Sequence, residues 1–349
     1  MPNNFLKNTI SKTTLIFLLL ISYNVKSQIP LPEHPRPDFN RAIWKNLNGS
    51  WDFKFDPDNK GLKEKWYDGT IFDKKIIVPF PWGSKLSKVE DEANIGWYNR
   101  EINVSEDWKT KKTFITIGAS DWETTVWIDG KFVGKHQGGY IPFSFDLTPH
   151  LKYGQNQKLI IRVDDDAGDP KKFNRGYALY GKQGYGNARG IWQTVYLEAR
   201  GENFIDAIHF TPDIDNKKVN VTAYLDKYAA NELPLKIKIN TDRGFINHKI
   251  NFKPGQIKRN FDINIPDMRL WSLEDPYLYE VEIKLDDDIV KSYFGMRKIS
   301  TINLPGTQYP YVALNNQPIY LQLALDQSYH PEGFYTFPSD KFMKEEILR

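Results

Sequence analysis

Short alternating segments separated by turn residues constrain this chain more than any other feature. The clearest example is TTVWIDGKFVG, in which two strand-like runs flank Asp129-Gly130. An Asp-Gly pair between such runs favours a tight hairpin, because both central residues of that turn need positive φ. Similar segments recur at 111–117 and 157–166, without long helical periodicity. From about residue 40 to 200 the pattern predicts an all-β sandwich.

The last segment of this region, 190–200, predicts one strand with Ile191, Val195 and Leu197 on one face. Nine of the ten tryptophans lie between Trp44 and Trp192, which indicates a single aromatic-rich β domain. Each of them can be a core side chain or a ring that stacks on the apolar face of a sugar, and the core role is the commoner one.

The region from 201 to about 303 shows a different pattern of evenly spaced strands and only one tryptophan. Seven short strands in about a hundred residues predict an immunoglobulin-like sandwich, and the alternative is a plain spacer. The resemblance is architectural only, because the chain has no Cys. The seven segments are DAIHFTPDI, KVNVTAYLD, LPLKIKINT, NHKINF, KRNFDINIP, LYEVEIKLD and KSYFGMRKIS.

The beginning of the chain predicts a signal peptide. Lys7 and Lys12 precede the apolar run 15–21, which is too short to anchor stably in a bilayer, and residues 25–27 suit cleavage. We therefore expect residues 1–27 to be removed and the protein to be secreted or periplasmic. The alternative is an uncleaved membrane anchor.

Charge and composition exclude several classes of partner and cofactor. Without its first 27 residues the chain has 44 basic and 44 acidic residues, so neither nucleic acid nor an anionic membrane is an expected partner. No Cys is present and the six His are scattered, so we expect no cofactor and no metal site. The acidic run 164–170 lacks the ligand spacing of an EF-hand and favours a solvated turn over a Ca²⁺ site.

The end of the chain predicts a strand, a loop and a helix. Asn315-Asn316 marks a hairpin turn, and the mostly apolar segment 319–327 is typical of a buried parallel strand. Ser339 can cap a helix that has Met343 and Ile347 on one face. One such unit cannot bury both faces of its strand, so we expect its apolar residues from about 311 onward to lack packing partners.

Several motifs occur in the order in which they are found in glycoside hydrolase family 2, which includes β-galactosidases, β-glucuronidases and β-mannosidases. The ordered set resembles that family over essentially the whole chain after the signal peptide. The motifs are LNGSWDFKFDP, VPFPWGS, GWYNREI, GASDWETTVWIDGKFVGKHQGGYIPFSFDLT, GIWQTVYLE, LWSLEDPYLYEVEIKL, YFGMRKIS and LNNQPIYLQLALDQSYHPEGFYT.

The resemblance implies a mostly β chain in four parts. Residues 1–27 would be the signal peptide, and 28–200 a jelly-roll sugar-binding domain. Residues 201–303 would form the immunoglobulin-like sandwich, and 304–349 the first strand, loop and helix of an incomplete (β/α)8 barrel, the TIM-barrel catalytic domain of the family.

The resemblance also implies the N-terminal part of a secreted, retaining β-glycosidase. Such enzymes use two carboxyl groups about 5 Å apart, and family members carry these glutamates on later barrel strands. The acid/base follows an Asn, but the only Asn-Glu pair here, Asn231-Glu232, lies in a predicted surface turn. We therefore assign no catalytic residue and predict that the chain is inactive alone. The alternative is a non-catalytic carbohydrate-binding or scaffolding β-sandwich protein.

Two groups of residues are candidates for contact with the carbohydrate. Asp326, Gln327, Tyr329 and His330 follow the predicted first barrel strand, at the end where barrel active sites gather. Relatives often have Arg-His-type residues there, so the Asp-Gln pair is a departure that weakens a galactose assignment. The alternative role is a loop-capping Asp and a surface His.

The second group lies in KQGYGNARG, 182–190, which in the family approaches the mouth of the barrel. Its three glycines permit close approach of the backbone. Tyr185 offers a stacking face, and Asn187 and Arg189 offer donors. The alternative is a flexible β loop.

Overall fold

The computed structural model describes residues 29–165 and 187–349, which form mostly β-strands. The predicted signal peptide and Tyr185 lie outside this range. The first sandwich contains β1 (Trp44–Asn46), β2 (Gly49–Phe55), β3 (Lys74–Val78), β4 (Ile95–Asn103), β5 (Lys112–Ile117), β6 (Ser120–Asp121), β7 (Glu123–Ile128), β8 (Lys131–Gln137), β9 (Phe143–Asp146), β10 (Asn156–Asp164), β11 (Gly190–Ile191) and β12 (Val195–Arg200).

The remaining elements form a second sandwich and a terminal segment. The second sandwich contains β13 (Ile205–Asp213), β14 (Lys218–Leu225), β15 (Leu233–Thr241), β16 (Gly244–Phe252), β17 (Lys258–Asn264), β18 (Tyr279–Leu285) and β19 (Asp288–Phe294). The terminal segment contains β20 (Ile299–Asn303), β21 (Pro310–Leu314), β22 (Gln317–Pro318) and the helix α1 (Asp340–Ile347).

The first sandwich packs a four-stranded sheet, β1-β12-β5-β9, against a six-stranded sheet, β3-β2-β4-β10-β7-β8. Alternate residues of both sheets point into one core, which includes Trp51, Tyr98, Ile115, Ile161 and Leu197. Burying one such side chain contributes about 1.5–3 kcal/mol. The alternation that predicted an all-β sandwich is therefore what builds this core.

The hairpin predicted at Asp129-Gly130 is confirmed. β7 and β8 are joined by these two residues, whose φ values are 46° and 76°. Asp129 Oδ1 also accepts a hydrogen bond from the backbone N–H of Lys158 at 2.9 Å. The side chain of the turn thereby ties the hairpin to the neighbouring strand β10.

The prediction of one continuous strand over 190–200 is wrong. β11 pairs with β6, whereas β12 pairs with β1 and β5 in a different sheet. Between them the N–H groups of Trp192 and Gln193 both donate to Ala119 O, at 3.1 and 3.3 Å. This irregular pairing interrupts the alternation and places Trp192 at one end of the sandwich instead of in its main core.

The core role of the tryptophans is confirmed for most of them. Seven are buried and three are partly buried, so no Trp among the described residues is an exposed stacking platform. The buried ones are Trp51, Trp66, Trp82, Trp97, Trp108, Trp127 and Trp192.

The seven strands predicted after residue 201 are all present. Three form the sheet β13-β14-β17 and four form the sheet β16-β15-β18-β19. β18 and β19 alternate strictly between buried and exposed residues, and their buried faces, with that of β15 in the same sheet, meet the opposite sheet at β14 in one hydrophobic core. The predicted last strand ends at Phe294, and β20 begins a separate pairing with β21.

A buried ionic network joins the two sandwiches. Arg41, whose side chain is 3% exposed, contacts Asp288 with Nε and Nη2, at 2.8 and 2.9 Å. Its Nη1 donates to Glu198 at 3.0 Å, and Nη2 donates to the carbonyl of Ile205 at 2.6 Å. Since Glu198 belongs to β12 and Asp288 to β19, one guanidinium links both sandwiches to the segment before β1.

The terminal segment agrees only partly with its prediction. Asn315 and Asn316 form the predicted turn, with φ of 51° and 65°, and Ser339 caps α1 by accepting from the N–H of Phe342. The predicted strand over 319–327 is not formed, and Leu323 and Leu325 are each 84% exposed. A strand needs neighbouring backbone to pair with, and within the described chain the backbone bond from Ile319 N–H to Val312 O, at 3.0 Å, is not continued along this segment by strand pairing.

Candidate functional site

The loop 330–337 packs against one end of the first sandwich. Thr336 Oγ1 donates to the carbonyl of Trp192 at 2.5 Å, and the N–H of Leu86 donates to the carbonyl of Glu332 at 2.9 Å. The Glu332 carboxylate also pairs with Lys85. The expectation that the apolar residues from about 311 onward lack packing partners is wrong for this loop, because Phe334 and Tyr335 pack against Ala119, Ala188 and Trp192.

Aromatic and acidic side chains meet where the loop docks. The Trp192 ring lies 6.4 Å from the Tyr140 ring and 6.1 Å from the Tyr335 ring, and its Nε1 donates to Gly139 O at 2.8 Å. The carboxyl of Asp121 is buried next to Gly139, where an added Cβ would lie 2.8 Å from Asp121 Oδ1. The backbone can thus approach the carboxylate this closely only because residue 139 is glycine.

Tyr140 is 51% exposed, and its phenol is neutral at pH 7, as that of an unperturbed tyrosine already is. Burial raises its pKa to about 12, with further contributions from Asp121 and Tyr335. A neutral phenol can donate and accept one hydrogen bond each, which suits the recognition of a sugar hydroxyl. We name Asp121, Tyr140, Trp192 and Tyr335 the junction cluster.

Two of the residues predicted from KQGYGNARG lie at the same end of the sandwich. Arg189 forms ion pairs with Glu92 at 3.1 Å and with the buried Asp165 at 2.9 Å. Asn187 Nδ2 lies 3.5 Å from the same Glu92 carboxylate. Two carboxylates on different segments therefore fix the Arg189 guanidinium, so its remaining donors point in a defined direction.

The four residues predicted at the barrel entry fall into two pairs with different surroundings. Asp326 and Gln327 are exposed, and Asp326 Oδ1 accepts from the N–H of Ser328 at 2.7 Å, which is the loop-capping alternative. The Tyr329 ring stacks on Phe334, 6.5 Å between centroids. His330 is buried, not on the surface, and its Nδ1 accepts from the N–H of Glu332 at 3.2 Å. Of the four residues, only Tyr329 and His330 make contacts within the docked loop that meets Trp192, with Phe334 and Glu332 respectively.

Sequence reasoning missed the junction cluster. Its members come from three regions of the chain that no local spacing connects. The one available signal is the pair Gly138-Gly139 before Tyr140, since adjacent glycines often mark a close backbone approach. That signal identifies Tyr140 but gives no reason to choose Asp121 or Tyr335.

A second cleft lies between the sandwiches but its charged groups neutralise one another. It has a volume of about 580 Å³, and its lining includes Arg200, Glu198, Ser144 and Phe114. Arg200 donates to Glu198 at 2.8 Å and to Ser144 at 3.2 Å, and it covers the Phe114 ring at 4.2 Å. We interpret this cleft as structural.

Among the described residues, no three His, Asp or Glu side chains are grouped to hold a metal ion, and no helix is long and apolar enough to cross a membrane. The turn at Asn231-Glu232 is exposed, as predicted. The Glu232 carboxylate accepts a hydrogen bond from the side-chain amide of Asn251.

Two sequence profiles match the two sandwiches. The profile described as glycosyl hydrolases family 2, sugar binding domain, matches residues 44–199, and the profile described as glycosyl hydrolases family 2 matches residues 203–297. The chain belongs to glycosyl hydrolase family 2.

Curated relatives of this family 2 chain include two differently named enzymes. It is 25% identical over 297 residues to a β-glucuronidase of Paenibacillus borealis, covering 79% of this chain and 48% of that protein. It is 26% identical over 296 residues to a β-galactosidase of Thermoanaerobacter pseudethanolicus, covering 80% and 36%. The chain thus spans about half or less of the length of these relatives.

Solved structures of β-glucuronidase from Ruminococcus gnavus share the fold. One superposes with a TM-score of 0.71 at 19% identity, over 92% of this chain and 55% of that protein. Another, with the same TM-score and identity, contains D-glucuronic acid and covers 92% and 56%. At this identity the likeness concerns the fold of the family 2 sandwiches.

Proposed function

We propose that this chain provides the N-terminal β domains of a secreted family 2 β-glycosidase. In this proposal residues 28–200 are the jelly-roll sugar-binding domain, 201–303 the immunoglobulin-like domain, and 304–349 the entry to the catalytic barrel. The observation that carries it is the docking of loop 330–337 on the Trp192 end of the first sandwich. A barrel that continues from this loop would have its entry beside the junction cluster.

The junction cluster and Arg189 would form one edge of the substrate site. The ring face of the partly buried Tyr335 can meet the apolar C–H face of a β-linked sugar, while the buried Trp192 packs against both tyrosines. The neutral Tyr140 hydroxyl and the fixed donors of Arg189 and Asn187 can bind its hydroxyl groups. Tyr329 would extend this edge from the barrel side, whereas His330 would hold the loop in place.

The hydrolytic step would depend on two glutamates of the barrel, as in other retaining glycosidases. The exposed apolar face of Leu321, Leu323 and Leu325 supports a barrel that covers it. Residues 28–349 alone would be inactive and would bind a free monosaccharide no better than about 1 mM, because one ring contact and a few exposed hydrogen bonds barely exceed the entropic cost of binding.

The test compares residues 28–349 with the complete gene product that contains them. Both are incubated with aryl β-glucuronide, β-galactoside and β-mannoside reporters. We expect turnover of at least one reporter by the complete product and none above background by residues 28–349. In the complete product, Arg189→Ala should lower kcat/KM by about tenfold or more, whereas Lys63→Ala, far from the junction, should not.

Two results would overturn the proposal. One is turnover by residues 28–349 that is abolished by replacing a Glu within them. The other is a pair of findings: this chain binds an oligosaccharide with micromolar affinity, and the complete gene product contains no barrel. That pair would favour the non-catalytic carbohydrate-binding protein.

A further inference from the structure

The outward face of the four-stranded sheet in the second sandwich carries lysines in direct register. Lys236 on β15 lies opposite Lys249 on β16 and opposite Lys284 on β18. These three, which we name the lysine row, are exposed, while their neighbours along the strands point into the core. With strands about 4.8 Å apart, the row extends over roughly 10 Å of flat surface.

This arrangement opposes the stability of the sheet. Like charges directly opposite each other on neighbouring strands are destabilising, and within the described residues no ion pair involves a member of the lysine row. In the next row Lys238 faces Glu282, which in turn faces Lys291, so acidic residues compensate there but not in the lysine row.

Protection of a sheet edge does not account for the row. Lysines on edge strands prevent association of sheets, and β16 is an edge strand in the order β16-β15-β18-β19. However, Lys236 and Lys284 are on the two inner strands, whose backbone groups are already paired on both sides. Two of the three charges therefore protect no edge.

We propose that this face binds an acidic polysaccharide, with the lysine row contacting carboxylate or sulfate groups on successive sugars. A shallow cavity of about 340 Å³ lies over the row, and Asn247, Lys238 and one acidic residue, Glu282, also line it. Beside it the Phe245 ring is 60% exposed, and Lys238 Nζ lies 3.7 Å from its centroid. Amines, an amide and an aromatic ring on one flat surface suit an extended, charged glycan.

The choice of a polysaccharide over another polyanion rests on the proposed glycosidase function. A chain that is neutral overall after signal cleavage would gain attraction for a charged substrate polymer only locally, at this face. The lysine row would then retain the polymer, while the junction cluster contacts the sugar to be cleaved.

The test is affinity electrophoresis of residues 28–349 in gels that contain polygalacturonate, with neutral dextran as the reference. We expect retardation by polygalacturonate only, weakening as salt is added. The triple variant Lys236→Gln, Lys249→Gln, Lys284→Gln should raise Kd about tenfold or more. Its melting temperature should be unchanged or higher, because a repulsion is removed.

A matched triple variant controls for net charge. Lys63→Gln, Lys131→Gln and Lys253→Gln remove three exposed lysines elsewhere on the two sandwiches, and should change Kd less than about twofold. Equal weakening by both triple variants, or equal affinity of the unaltered chain for polygalacturonate and poly(dT), would overturn the inference.

The outcome is separable from that of the proposed function. In the complete gene product the lysine-row variant should leave the hydrolysis of a small aryl β-glycoside unchanged. Hydrolysis without polygalacturonate binding would refute this inference alone, whereas binding without hydrolysis would refute the proposed function alone.

Discussion

The second sandwich and segment 319–327 contain the same kinds of apolar residue but expose them very differently. Leu235 and Leu285 are 0% exposed, whereas Leu323 and Leu325 are each 84% exposed. β15 pairs with a strand on each side, and a second sheet covers its inner face. Apolar composition thus becomes a buried strand only where backbone partners and a covering layer exist.

Loop 330–337 is intermediate between these extremes. It forms no regular strand, yet Thr336 is 4% exposed where it docks on the first sandwich, and His330 is 9% exposed beside Phe337 and Phe342. Contact with another layer, and not secondary structure, is therefore what fixes this part of the chain. We therefore expect three sizes of effect on stability, which follow how completely the altered side chain is buried.

The largest effect is expected where burial is most complete, at Arg41. Arg41→Ala leaves the carboxylates of Asp288 and Glu198 buried without their shared partner, which should cost about 3–5 kcal/mol of unfolding free energy. Urea unfolding followed by tryptophan fluorescence measures this loss. The control is Arg243→Ala, which breaks an exposed ion pair with Asp267 and should cost less than about 1 kcal/mol. Similar losses for both variants would mean that burial does not determine how much an ion pair contributes to the free energy of unfolding.

An intermediate effect is expected at the docked loop. Thr336→Val keeps the shape of the side chain but removes the donor to Trp192 O, a loss of about 1 kcal/mol in loop docking. Proteolysis between 319 and 349 should then become about fivefold faster, with little change in global unfolding. Thr301→Val, at an exposed position of β20, should leave the rate unchanged. An unchanged rate for Thr336→Val would show that this hydrogen bond does not hold the loop.

The smallest effect is expected in the exposed segment. Leu323→Ser with Leu325→Ser should change the free energy of unfolding by less than about 0.5 kcal/mol. It should also reduce self-association in light scattering, because it removes exposed apolar surface. Leu235→Ser in the core is the contrasting variant and should be strongly destabilising. A loss above about 1 kcal/mol from the double variant would indicate that the segment packs on the sandwiches.

The sequence by itself determined the local elements. The Asp129-Gly130 hairpin, the seven strands after residue 201 and the Ser339 cap each follow from residues adjacent in the chain, whose side-chain period and φ preferences act locally. The mostly β class and the family follow from the same ordered segments.

Tertiary structure alone decided the interruption at Trp192, the burial of Arg41 between two carboxylates, and the meeting of Asp121, Tyr140, Trp192 and Tyr335. These features join residues far apart in the chain, so no periodicity encodes them. The segment 319–327 has the composition of a buried strand and yet is exposed, because pairing and burial are properties of the surroundings and not of the segment.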